Sequence, residues 1–481
     1  MNKKNISNQN NRIKINFEHL GGLDFGAIEL ADLTIVCGEN NTGKTYVTYL
    51  IYCLLTTWKH LVDINLKRVF EDLRQNGVAK VDLQETITEP WPAICLATLE
   101  KFEKQFPEML AAKSELLSKL KLQIEIPLGD EWKSRNYKDE LRSANGNLLF
   151  TLAKLPNSSE LELAAPKSEE LSSHSISAFA DFIEERILAL MFKKVIPDVF
   201  IASTERTGAT TFKKQLNLAT SNLIELLSHA HKEGAGSITP NKIFETMYGK
   251  PEYAIPVRHN VQFLNQLPNT SAADGLLFKN APELLEKFEE IVGGTYTTNK
   301  EGVTFFQPKG SNLKLGLGEV SSSVRSLLIV WYWLKHFAKK GDLLMLDEPE
   351  LNLHPANQRR LARFIVALIN NGVKIFITTH SDYIIKEFNT LIMLNQESTK
   401  FNEIRDKLKD YSKEDKLDPN LVSLYMAKEE NVVKPGGKRK TKAKTLIRAD
   451  VSPTLGIEAK SFDETIDDMN SIQEAIYYAL N

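Results

Sequence analysis

The chain has 481 residues, 42% hydrophobic and 25% charged, with Lys+Arg 60 against Asp+Glu 62 and a net charge of -2. That length calls for one large domain with a sizeable insertion, or for two domains, and the apolar content supplies a large core. Near-neutral charge excludes a globally basic nucleic-acid binder and leaves a local patch as the only electrostatic route to such a partner.

The N-terminal MNKKNISNQNNR is polar with no apolar run behind it, which does not read as a signal peptide, and the longest apolar stretch, Ser326 to Leu334, is too short for a bilayer. A cytoplasmic protein is expected. Cys37, Cys53 and Cys95 lack paired metal-ligand spacing and read as reduced core thiols. Residues 13–37 alternate strand-like runs with turns, an antiparallel meander that feeds an apolar strand, Leu33 to Cys37. A helix follows from Lys44 to Trp58. The pattern is then largely helical to Leu120, followed by three β-like runs (LQIEI, NLLFTLAKL, ELELAA) and a helical stretch, Ser168 to Phe192.

The α/β pattern resumes with VIPDVFIAS. A helix from Asn280 to Val292 precedes two strand-like runs, GTYTTN and GVTFFQP. Next come a Ser-rich segment, a helix to about Lys339, a strand Asp342 to Leu346, a helix Pro355 to Asn370 and a strand Val373 to Thr378. The tail carries a basic stretch, Lys434 to Lys444, around a Pro-Gly-Gly turn, then a strand Lys444 to Ala449 and a helix Phe462 to Leu480. Alternating strands and helices predict an α/β fold with a mainly parallel sheet flanked by helices. The domain boundaries expected are an N-terminal part of the core at 1–59, a mainly helical insertion at 60–194, a C-terminal part of the core at 195–395 and an extension at 396–481.

Gly38-Glu39-Asn40-Asn41-Thr42-Gly43-Lys44-Thr45 fits the phosphate-binding P-loop, directly after an apolar strand and at the start of a helix. Its glycines permit the tight backbone path, and loop amides and the helix N-terminus favour phosphate oxygens. Lys44 is placed for the β/γ-phosphates and Thr45 for a magnesium ion. The strand ending in Asp347-Glu348-Pro349 reads as Walker B, with Asp347 holding Mg2+ and Glu348 polarising the attacking water. His380, after the next strand, is in the order expected of a γ-phosphate sensor. Ser321, Ser322 and Ser323 cap an apolar helix and offer hydroxyls and helix-start amides to an anion.

The order of P-loop, serine-rich segment, Leu-Leu-Met-Leu-Asp-Glu-Pro-Glu-Leu-Asn-Leu-His-Pro and Thr-Thr-His-Ser resembles the ABC-type ATPases related to SMC and DNA-repair heads, across residues 13–50 and 195–395. The resemblance is closest to compact ATPases of prokaryotic anti-phage defence, of OLD-like, Septu and PARIS type. It implies ATP and Mg2+ as cofactors, sandwiched between two heads of a homodimer or higher homo-oligomer. Ser321 to Ser323 then act in trans, and Leu351 to Pro355 lie at the dimer interface. Ser322 and Ser323 stand where the commoner signature has paired glycines, and Ser203 to Gly208 is the candidate for the linker loop. The C-terminal segment lacks the carboxylate set of a fused Toprim nuclease.

The expected function is therefore an ATP hydrolase that senses infection and regulates a separate effector, a nuclease, with DNA or a phage protein as trigger. The alternatives are a DNA-repair or DNA-organising ATPase and, less favoured because of the serines and the long insertion, a transporter subunit.

Overall fold

The computed structural model describes residues 12–142, 146–165, 173–211, 253–266, 274–299, 302–396, 407–408, 411–412, 414–458 and 469–477. The polar N-terminal tail, the start of the Ser168 to Phe192 stretch and both ends of the Phe462 to Leu480 segment lie outside them. The chain divides into two compact units, residues 1–16, 54–105 and 121–198, and residues 17–53, 106–120 and 199–481.

In the larger unit the labelled strands are β1 (Lys14–Leu20, whose first residues belong to the other unit), β2 (Leu23–Glu29), β3 (Leu33–Cys37), β4 (Val199–Ala202), β5 (Leu343–Asp347), β6 (Lys374–Thr379), β7 (Val422–Val433) and β8 (Lys440–Arg448). They follow one another in the order β1-β2-β8-β7-β3-β6-β5-β4. Pairing is parallel from β7 through β3, β6 and β5 to β4, and between β8 and β2, whereas β7 and β8 are antiparallel. Every residue of β3 and β5 is buried, as expected of central parallel strands covered on both faces. The fold is α/β with a mainly parallel sheet, as the alternation of elements predicts.

The helices around it are α1 (Lys44–Leu61, which runs on into the smaller unit), α2 (Arg206–Thr211), α3 (Ser322–His336), α4 (Pro355–Asn370) and α5 (Asp382–Met393). α3 is buried on nearly all sides from Ser326 to Leu334, which accounts for its continuous apolar run. α4 starts where sequence places it: His354 caps it through Nδ1 and Pro355 occupies its first turn. Gly294–Thr298 and Thr304–Pro308 pair antiparallel.

The C-terminal region differs from the sequence reading. The basic stretch is not a loop before a strand at Lys444, because β8 begins at Lys440 and pairs along its length with β7, which the sequence reading does not include. β7 is buried throughout its first half and alternates between half-buried and exposed thereafter. Half of it is therefore a core strand and half a solvent-facing ribbon.

The smaller unit contains the helices Lys67–Asn76 and Ser173–Phe192 and a four-stranded antiparallel sheet in the order Val78–Asp82, Glu160–Ala164, Leu148–Lys154, Tyr137–Arg142. Val78–Asp82 lies in the stretch read as largely helical; five residues give little periodicity, and their partner strand is about 80 residues further on. Lys154 is buried there, with its ammonium donating to the carbonyls of Lys133, Arg135 and Leu155. Among the described residues no helix is long and apolar enough to cross a membrane.

Candidate nucleotide site

The segment from Gly38 to Gly43 connects β3 to α1, and its backbone uses three left-handed positions: Gly38 at φ 142°, Asn41 at φ 66° and Gly43 at φ 93°. A Cβ on Gly38 would meet the carbonyl oxygen of Ala427 in β7 at 2.4 Å, so the glycine is required by packing as well as by dihedral. Gly38→Ala is expected to weaken ATP binding by at least about fivefold, the lower bound of the ~1–3 kcal/mol stored in such positions. Titration with a fluorescent ATP analogue checks this, and unchanged affinity would mean that the loop is not formed on this backbone.

Lys44 is buried, and its Nζ donates to the carbonyls of Gly38 (3.1 Å) and Glu39 (2.6 Å). Burial pulls its ammonium below the ordinary lysine range, and the nearby carboxylates of Glu348 and Asp347 oppose that shift. Thr42 closes the loop by donating to Glu39 O at 2.8 Å, while Asn40, Asn41 and Thr45 are exposed. Burial also raises the Cys37 thiol at the end of β3 to about 12, so it stays a neutral core group.

Asp347 ends β5, fully buried. Its Oδ1 accepts from Thr378 Oγ1 at 2.5 Å and its Oδ2 from Thr204 Oγ1 at 2.7 Å. Desolvation raises its affinity for a proton despite both hydroxyls, so a cation there would be favoured electrostatically. Glu348 follows at φ 47°, a strained conformation for a non-glycine residue. Its N–H donates to Thr378 Oγ1 at 3.0 Å, and its Oε1 lies 3.0 Å from His380 Nε2. The hydrogen bond from His380, opposed by desolvation, holds the Glu348 carboxyl below the usual carboxylate range, with His380, Lys44 and Arg206 adding favourable charge. His380 is itself positioned from behind, because its N–H donates to Glu350 Oε1 at 2.6 Å and Thr379 Oγ1 donates to the same oxygen at 2.9 Å.

The linker segment at Ser203 to Gly208 has a larger role in this geometry than its sequence indicated. Arg206 is entirely buried. Its Nη1 donates to Ser203 O (2.9 Å) and Asp347 O (2.6 Å), and its Nη2 to Glu348 O (2.9 Å). Tyr49 of α1 donates to Glu205 Oε2 at 2.9 Å. Asn260 braces the end of β4, accepting from Ser203 N–H and donating to Ile201 O. Thr204, Arg206, Thr378 and Glu350 thus join the site; the sequence places them only inside longer segments, the candidate linker loop, the Thr-Thr-His-Ser motif and the Asp-Glu-Pro-Glu run, and gives none of them a role of its own.

Asp347, Glu348 and His380 lie together at the carboxyl ends of neighbouring parallel strands, and Asp347 and Glu348 are within electrostatic reach of Lys44. The hydrogen bonds of Ser321, Ser322 and Ser323 all stay local. Ser321 Oγ accepts from Val324 N–H and pairs with Ser323 Oγ at 2.7 Å, and Ser322 Oγ accepts from Arg325. None reaches the P-loop.

A family model described as "AAA ATPase domain" matches residues 13–385, a span that takes in the P-loop, Asp347, Glu348 and His380. The chain belongs to this ATPase family. No curated protein matches the sequence of this ATPase. Among solved structures it is similar to an Smc head bound to the C-winged helix domain of ScpA, with 10% identity, 91% of this chain and 97% of that chain covered, and a TM-score of 0.35. It is also similar to the SMC head domain from Thermotoga maritima, with 9% identity, 92% and 99% covered, and a TM-score of 0.30.

Proposed function

We propose that this ATPase hydrolyses ATP with Mg2+ between two copies of the chain and acts as the regulatory switch of a separate effector, a nuclease, in anti-phage defence. What carries the reading is the convergence of Lys44, Asp347, Glu348 and His380 at one end of adjacent parallel strands. The order of the motifs, with its resemblance to compact defence ATPases, supports the regulatory role. A DNA-organising role is the second reading, favoured by the basic residues of the β7–β8 hairpin.

Lys44 and the loop amides bind the phosphates. The donor chemistry suits Mg2+, a hard cation that takes oxygen ligands from a hydroxyl, a carboxylate and substrate phosphates; Thr45 and Asp347 supply the first two. When bound, the cation neutralises phosphate charge. Glu348, kept deprotonated, accepts a proton from the attacking water at its carboxylate. His380 is close enough to report on the γ-phosphate side of Glu348. In the dimer, Ser321 to Ser323 of one chain face the P-loop of the other, which accords with their purely local hydrogen bonding within a single chain.

The test is nucleotide binding by Lys44→Ala, measured by calorimetry on folded protein. Loss of ATP binding by about tenfold or more is expected, because the variant lacks the charge-assisted contact to phosphate. An affinity equal to that of the parent would place the nucleotide elsewhere.

A further inference from the structure

We propose that the β7–β8 ribbon is a docking arm for duplex DNA. This deepens the second, DNA-organising reading, on which it rests, and does not depend on the hydrolytic one. β7 pairs with β3 as far as Met426 opposite Cys37, and Ala427 then packs its carbonyl against Gly38. Residues 428–433 continue past the end of β3, paired only with β8, from Glu429 opposite Lys444 to Val433 opposite Lys440. Six residues at ~3.3 Å each carry the tip roughly 20 Å past the end of β3, while β8 stays against β2 at the base, where Thr445 pairs with Phe25 and Lys444 N–H donates to Asp24 Oδ2. Because β7 is parallel to β3, the ribbon leaves the sheet at the end where the P-loop lies.

Its charge is unlike that of the chain as a whole. The net charge of the chain is -2, yet residues 428–444 contain seven Lys or Arg against Glu429 and Glu430 alone. Residues 433–442 are all exposed. The ion pairs formed on the ribbon are Lys428 with Glu430 (2.8 Å) and Lys442 with Glu429 (2.7 Å), both exposed and weakly coupled. Strand alternation puts Lys440, Lys442 and Lys444 on one face, about 6.6 Å apart at ~3.3 Å per residue. Lys434, Lys438 and Arg439 cluster at the tip.

The partner such a surface fits is a dense linear polyanion. Duplex DNA presents a charge every ~1.7 Å of axis, and a two-stranded β-ribbon is narrow enough for its major groove, about 12 Å wide. An acidic membrane is the poorer fit, because between Lys434 and Lys440 the tip is Pro-Gly-Gly-Lys-Arg, with no aromatic or large aliphatic side chain to insert.

The experiment is fluorescence anisotropy of a labelled 30-base-pair duplex with the full chain, without ATP, across a salt series. The parent should bind, with log K falling linearly against log salt. The triple variant Lys438→Ala, Arg439→Ala, Lys440→Ala should bind at least tenfold more weakly at low salt, and its slope should be shallower by about 2–3, at ~0.9 for each phosphate that is no longer neutralised. The single change Lys438→Gln should reduce the slope by about 1. Both variants should keep the thermal unfolding temperature and basal ATP hydrolysis of the parent. Absence of duplex binding by the parent, or identical affinity and slope in the triple variant, would overturn the proposal. So would ribbon-dependent binding to phosphatidylserine vesicles without binding to duplex. Since the assay omits ATP, its failure leaves the hydrolytic reading standing.

Discussion

Glu348→Gln is expected to bind ATP with nearly the affinity of the parent and to release phosphate about 10²–10⁴-fold more slowly, the loss associated with removing a general base. The binding groups, Lys44 and the loop amides, are untouched. The amide keeps the size of the side chain and can still hydrogen-bond His380, but it removes the charge that the His380 hydrogen bond and neighbouring cations keep in place. In a sandwich, ATP that is not hydrolysed bridges two chains, so the variant should accumulate as an ATP-dependent oligomer. Ser322→Arg in the same background should dissolve that oligomer by placing bulk and charge at the contact in trans. Light scattering on a sizing column, with and without ATP, reads both effects. An oligomer indifferent to ATP and to Ser322→Arg would reject sandwiching as the cause of assembly.

Arg206→Ala is expected to destabilise the protein by about 3–5 kcal/mol, the range for removing one partner of a buried charged network. The guanidinium is completely buried. It bonds the carbonyls of Ser203, Asp347 and Glu348, and the carboxylates of Asp347, Glu350, Glu348 and Glu205 lie within electrostatic reach of it. Urea unfolding measures the loss. Arg206→Lys separates positioning from stability. A lone ammonium cannot bridge the carbonyls of Asp347 and Glu348 as a planar fork does, so the left-handed backbone at Glu348 loses its clamp. Turnover should fall by about 10²-fold, as for a misplacement near 1 Å, while ATP affinity changes by less than a few-fold. If turnover and affinity fall together in Arg206→Lys, the residue supports the whole unit rather than the aim of Glu348.

These two residues also mark what sequence can and cannot reveal. Glu348 was legible because its chemistry is written in consecutive side chains, an apolar strand ending in Asp-Glu-Pro. Arg206 was not, because its partners are backbone carbonyls 141 and 142 residues downstream, and carbonyls leave no trace in a side-chain pattern. It read only as one residue of the candidate linker loop, Ser203 to Gly208. The same holds for Thr204 and Thr378, whose hydroxyls converge on Asp347 from two other strand ends. β7 escaped notice because its two halves obey different rules, buried along VSLYMA and alternating along KEENVV. Its parallel partner β3 lies nearly four hundred residues earlier. Local motifs and continuous apolar strands survive in sequence; clamps made through backbone and pairings made at long range do not.

Phosphate release by the purified chain with ATP and Mg2+, beside Lys44→Ala and Glu348→Gln prepared in the same way, tests the central claim most directly. The account predicts steady release by the parent and, in both variants, release lower by at least about 10²-fold. Lys44→Ala should fail because it no longer holds ATP, and Glu348→Gln while still holding it. Equal release by all three proteins would contradict the claim that this P-loop and this carboxylate form the hydrolytic site.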